Sequence, residues 1–130
     1  MFFNDPKEVR LPPEEVRLRN VQVIAHPQGD RLRVRVELSP FLERPNIRVS
    51  ITDQAGKAIA QTDILETMQS NLEFTMHLRG AEMRREYTVE AQVYYQKIPV
   101  PSEIPMDIHL PDPMVVDLRK VTFTLPPQEA

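Results

Sequence analysis

The sequence holds 130 residues with a formal net charge of −3, 41% hydrophobic and 27% charged side chains, and no cysteine. That length fits one domain able to bury its own core, and the charge balance gives no global attraction to nucleic acid or to an anionic membrane. Without cysteine there are no disulfides, thiolate metal sites or cysteine nucleophiles.

The opening MFFNDPKEVR has neither the basic nor the apolar region of a secretory leader. No apolar run approaches the roughly 18 residues that span a bilayer, so the expected location is the cytoplasm, with no membrane contact. Residues 1–15 read as an irregular arm, because Pro6, Pro12 and Pro13 break any regular element. Val16 and Leu18 then alternate with Arg17 and Arg19. At Asn20 the apolar phase flips, and Val21, Val23 and Ala25 continue in the new phase. A flip of period 2 inside one strand predicts a bulge or a crossing between sheets. HPQGD at 26–30 is a turn by composition.

RLRVRVEL at 31–38 is the cleanest strand, with Leu32, Val34, Val36 and Leu38 on one face and Arg31, Arg33, Arg35 and Glu37 on the other. Ser39-Pro40 ends it. Ile47, Val49 and Ile51 mark the next strand, and DQAGK at 53–57 supplies a glycine where a hairpin needs positive φ. Ala58 to Ile64 returns as a weaker strand suited to a sheet edge. LETMQSN at 65–71 is a connector with room for one helical turn. Leu72, Phe74, Met76 and Leu78 alternate, as do Tyr87, Val89, Ala91, Val93 and Tyr95. A last strand covers about 114–125.

No stretch sustains a 3.6-residue period over the ~10–12 residues a helix needs. The expected fold is therefore all-β, an antiparallel two-sheet sandwich of about seven strands. The domain would run from 16 to 125, after the arm at 1–15 and before a short tail at 126–130. One sheet would join 16–25, 31–38 and 72–79.

MHLRGAEMRREYTVEAQVYY at 76–95 resembles the part of immunoglobulin-like and fibronectin-type-III-like domains where one strand ends in Leu, a loop crosses the sandwich, and a Tyr opens the next strand. IRVSITDQAGKAIA resembles bacterial members of the same superfold. The resemblance implies that Leu78 and Tyr87 are that Leu and the corner Tyr, whose hydroxyl bonds nearby backbone. It also implies a binding or structural role rather than catalysis. The loop before Tyr87 is longer than usual, and neither the core Trp nor the Cys pair is present.

IPVPSEIPMDIHLP at 98–111 departs from a plain sandwich. Its even positions are Ile98, Val100, Ser102, Ile104, Met106, Ile108 and Leu110, and four of its odd positions are Pro. Such a chain is extended with one apolar side, and proline keeps it out of a central strand. Through 98–113 it would act either as a covering arm on its own sandwich or as an arm that packs on a partner.

Catalytic chemistry finds little support. Asp107 and His109 share a face, but a zinc site needs three or four ligands. Three scattered glycines cannot cradle a phosphate. No nucleophile, base and orienting group can be named together, so no enzyme activity, metal or cofactor is expected.

The Arg-rich face is the other candidate. Arg17, Arg19, Arg31, Arg33, Arg35, His77 and Arg79 would share it against Glu37 and Glu73, and guanidinium forks suit phosphate, sulfate or carboxylate. The opposite sheet leans acidic through Glu86 and Glu90. The plain alternative is a solvated face of cross-strand ion pairs. Scarce aromatics on that face argue against single-stranded nucleic acid, and nucleic acid is not the expected partner. The expected function is a non-catalytic binding or structural module whose partner is protein. Self-association through the Pro-rich arm or an edge strand is its most concrete form. The alternative is a polyanion- or carbohydrate-binding accessory domain using the Arg face. The residues expected to make contact are those Arg side chains together with Ile104, Met106, Ile108 and Leu110.

Overall fold

Period-2 alternation becomes seven strands. A computed structural model of the chain describes residues 9–78, 86–96 and 113–124. The strands are β1 (Leu18–Ala25), β2 (Arg31–Leu38), β3 (Asn46–Thr52), β4 (Ala58–Ile64), β5 (Asn71–His77), β6 (Glu86–Tyr95) and β7 (Met114–Thr124). They form a three-stranded sheet in the order β1-β2-β5 and a four-stranded sheet in the order β4-β3-β6-β7. Every strand pair is antiparallel, so the sandwich expected from sequence is the fold observed. Among the described residues no helix is long and apolar enough to cross a membrane.

Burial follows position in the sheets. β2, β3 and β6 are flanked on both sides, and their inward residues Leu32, Val34, Val36, Ile47, Val49, Ile51, Val89, Ala91 and Val93 are wholly buried. Each large one contributes about 1.5–3 kcal/mol relative to exposure. Along edge strands β4 and β5, Ile64, Leu72 and Phe74 are only half-buried, while Met76 is buried.

The turns form as their residues dictate. Gly29 sits at φ 72, its N–H bonding the His26 carbonyl at 2.8 Å. In the β3–β4 hairpin, Asp53 Oδ1 accepts the N–H groups of Ala55 and Lys57 at 2.9 and 2.8 Å, and Gly56 takes φ 84. The phase flip at Asn20 is a bulge. Leu18 pairs with Leu38 and Asn20 with Glu37, leaving Arg19 as the extra residue.

Two features were not legible. The connector at 65–70 forms no helical turn. Thr67 is buried, its N–H bonds the Pro45 carbonyl at 3.0 Å, and the Glu66 N–H bonds Asn46 Oδ1 at 2.8 Å. These tertiary partners replace the bonds a helical turn would make within itself. On β7, Asp117 and Arg119 stand opposite the core residues Val93 and Ala91. Rather than entering the core, they serve the edge of β1. Asp117 Oδ2 accepts the Leu18 N–H at 2.8 Å, and Arg119 donates to the Arg19 carbonyl at 3.1 Å.

Before β1, one 3₁₀ turn covers Pro13–Glu15, and Leu11 forms a parallel bridge with Phe41. Leu78 and Tyr87 are both buried, and Tyr87 stacks on Phe123 at 5.7 Å between ring centres. Arg79, the Asp107–His109 pair, nearly all of the 98–113 segment with Ile104, Met106, Ile108 and Leu110, and the 126–130 tail lie outside the described residues.

Candidate functional site

The Arg row lies on the outer face of the three-stranded sheet, where the alternation of β2 puts it. Its neighbours across β5 decide its character. Arg35 stands opposite Glu73, Arg33 opposite Thr75 and Arg31 opposite His77. Arg35 donates to Glu73 Oε2 from Nε and Nη2 at 3.2 and 2.9 Å, and Arg33 Nη1 lies 3.2 Å from Oε1 of the same carboxylate. Glu73 therefore straddles two of the three guanidinium groups. All three side chains are roughly half-exposed, so each pair contributes at most about 1 kcal/mol.

Arg17 does not join this row, and Arg19 is the extra residue of the bulge. Past the bulge, the β1 residues opposite Glu37, Arg35 and Arg33 are Asn20, Gln22 and Ile24. Arg17 donates from Nη1 to the carbonyls of Glu14 and Val16 at 2.9 and 2.8 Å, which ties it to the 3₁₀ turn. The acidic bias of the other sheet is also offset. Lys120 lies 3.8 Å from Glu90, and Gln92 donates to Glu90 at 2.7 Å. Arg48 bonds Asp63 at 2.7 Å and lies over the Tyr94 ring at 5.5 Å. The bond to Asp63 pushes the Arg48 pKa above its usual value.

One end of the Arg row opens into a cavity of about 290 Å³. Ile24, Arg33 and Thr75 form its floor in one line across the three strands, while His26, Pro27 and Arg31 rise beside them. Arg31 Nε is shielded from solvent and has no hydrogen-bond partner among the described residues, although Asp30 Oδ1 is 3.4 Å away. Ile24 is 59% exposed on a face that is otherwise polar. A lone apolar residue in a strand's polar phase is the one sequence signal that could have marked this place.

A second candidate lies where β4 and β5 form the side of the sandwich away from the β1–β7 stitch. Among the described residues nothing pairs with the outer edge of β4. Half-buried Ile59, Ala60, Ile64, Leu72 and Phe74 belong to these two strands. Leu65 and Met68, in the connection between them, are 68% and 74% exposed. Among the described residues no group of three or more His, Asp or Glu side chains gathers as a metal site.

The same sandwich recurs within much longer chains. Bifidobacterium dentium β-glucuronidase, solved with coumarin-3-O-glucuronide, matches with TM-score 0.58 and 13% identity, over 85% of this chain and 17% of that one. Parabacteroides merdae β-glucuronidase matches with TM-score 0.57 and 12% identity, over 85% and 14%. A glycosyl hydrolase family 2 member from Bacteroides cellulosilyticus matches with TM-score 0.54 and 11% identity, also over 85% and 14%. At these identities the likeness is one of fold. The chain spans less than a fifth of the length of these proteins. No family profile and no curated protein matches the sequence.

Proposed function

We propose that this chain is a non-catalytic, immunoglobulin-like module that works by protein contact, and that two copies pair through the outer edges of their β4 strands. The observation that carries the reading is the edge of β4, unguarded among the described residues. Natural edge strands are blunted by proline, lysine, bulges or charge. Ala58–Ile64 contains no proline and no lysine. Its one charge, Asp63, is taken by Arg48, and its one irregularity lies at its start, opposite Thr52. β5 carries Glu73 and His77, and β7 carries Asp117, Arg119 and Lys120.

The β4 edge is also self-complementary. Antiparallel pairing centred on Gln61 sets Ala60 against Thr62 and Ile59 against Asp63, so no like charges meet. Two four-stranded sheets then become one, and a twofold axis closes the assembly. The apolar side chains of the β4–β5 side gain cover next to the new strand pair. That a sandwich of this shape makes up a minor share of several long hydrolase chains supports a modular role.

Light scattering over a rising concentration series tests the proposal. The native chain is expected to dimerise. Gln61→Lys, which sets two cations at the twofold axis, should return it to monomer, and Leu65→Ser with Met68→Ser should weaken it. A native monomer, or a dimer untouched by Gln61→Lys, overturns the pairing. A dimer lost only in Ile104→Ser, Met106→Ser, Ile108→Ser moves the contact to the Pro-rich segment.

The alternative is a polyanion- or carbohydrate-binding accessory role for the Arg face. The carbohydrate-acting names of the fold neighbours favour it, and the sharing of Glu73 by Arg33 and Arg35 weakens it. It predicts binding to a sulfated polysaccharide that falls steeply with salt.

A further inference from the structure

The geometry points to the cavity at the end of the Arg row as a binding site for a small organic carboxylate with an apolar body. The inference is independent of β4 pairing. Three observations converge on it.

The first is donor supply. Arg31 and Arg33 both line the cavity. Among the described residues Arg33 is engaged through Nη1, on a carboxylate that turns its other oxygen to Arg35. Arg31 Nε lies 3.4 Å from Asp30 Oδ1 without hydrogen-bond geometry, and the side chain is roughly half-exposed where it lines the cavity. A carboxylate accepting from both guanidinium forks would make charge-assisted bonds.

The second is a further donor at the rim. His26 Nδ1 accepts the Gln28 N–H at 3.2 Å, so the neutral ring carries its proton on Nε2. The Thr75 hydroxyl on the floor can donate or accept.

The third is the apolar wall. Ile24, Ala25 and Pro27 border the same space, and Ile24 holds its exposed position where the alternation of β1 calls for a polar residue. A cavity near 290 Å³ sits at the small end of ligand sites and suits a single ring. Inorganic phosphate would satisfy the guanidinium groups and leave this wall unused.

The probe is benzoate, followed through the backbone amide resonances of residues 24–26, 28–33 and 75 in the full chain. Saturable shifts confined to these amides are expected, with a Kd on the order of 1 mM for so small a ligand. Arg31→Gln and Arg33→Gln should each weaken binding about tenfold, and Ile24→Ser should weaken benzoate but not phosphate. Benzyl alcohol, which lacks the anion, should not bind. Shifts that do not saturate, or survive both Arg substitutions unchanged, overturn the site. Phosphate or glucuronate binding as tightly as benzoate overturns the assignment of an apolar body. Gln61→Lys should leave benzoate binding intact, so failure of the dimer and failure of this site are separately visible.

Discussion

Replacing Asp117 should cost more than its position on an edge strand suggests. Its Oδ2 holds the Leu18 N–H at 2.8 Å across a sequence separation of 99, and its Oδ1 accepts the Leu118 N–H at 2.9 Å. Leu18 is buried and lies beside the bulge, in the other sheet. Asp117→Ala leaves a part-buried donor with no acceptor. Hydrogen bonds to charged groups contribute about 1.5–3 kcal/mol, so a loss of about 2 kcal/mol is expected. With a urea slope of about 2 kcal/mol per M, the midpoint should fall by about 1 M. Asp117→Asn keeps an acceptor oxygen and should lose about half as much. Amide exchange at Leu18 should accelerate in the Ala variant well before global unfolding. A midpoint within about 0.2 M of native, or unchanged protection at Leu18, would refute the idea that this carboxylate joins the sheets.

Other perturbations have smaller expected effects. Gly56→Ala meets no atom within 4 Å but forces an L residue to φ 84; thermal unfolding should show a loss of about 1 kcal/mol. Glu73→Gln should release Arg33 and Arg35, lengthening retention on an anionic resin while changing stability by under about 1 kcal/mol. Burial, then Glu43 and Glu14, push the Tyr95 phenol up to about 12. Above pH 10 the unfolded chain therefore loses that proton before the folded one does, and stability should fall as pH rises from 10 to 12. The ring is only half-buried, so solvent screening should keep this loss under about 1 kcal/mol. Tyr95→Phe removes that alkaline dependence and, through the lost 2.9 Å bond to the Glu43 carbonyl, costs about 1 kcal/mol at neutral pH. Absorbance titration and urea melts at several pH values check both.

Strand content was legible because alternation depends only on which face is buried. RLRVRVEL, the Asn20 flip and the Gly56 turn each carried their structure locally. What pairing creates was not legible. Arg35 finds Glu73 directly opposite and Arg33 finds it one step along, and that register is fixed by sheet packing rather than by either strand alone. Glu37 and Glu73 were legible as counter-charges on that face; the sharing of one carboxylate by two guanidinium groups was not. Asp117 and Arg119 broke the period-2 rule because at a sandwich corner an inward position meets a neighbouring strand's edge instead of a core. The exposed Leu65 and Met68 flank Thr67, whose bond to Pro45 no neighbouring residue announces.

The stitch between β1 and β7 also sets a timetable for synthesis. β1 and β2 leave the ribosome early and can zip into a hairpin at once, yet the groups that receive Leu18 and Arg19 lie 99 and 100 residues further on. Until β7 emerges, β6 is itself an open edge and the corner beside Val93 is unfinished. The six earlier described strands therefore stand without closure until then, exposed to edge-to-edge misjoining. Closure waits on β7.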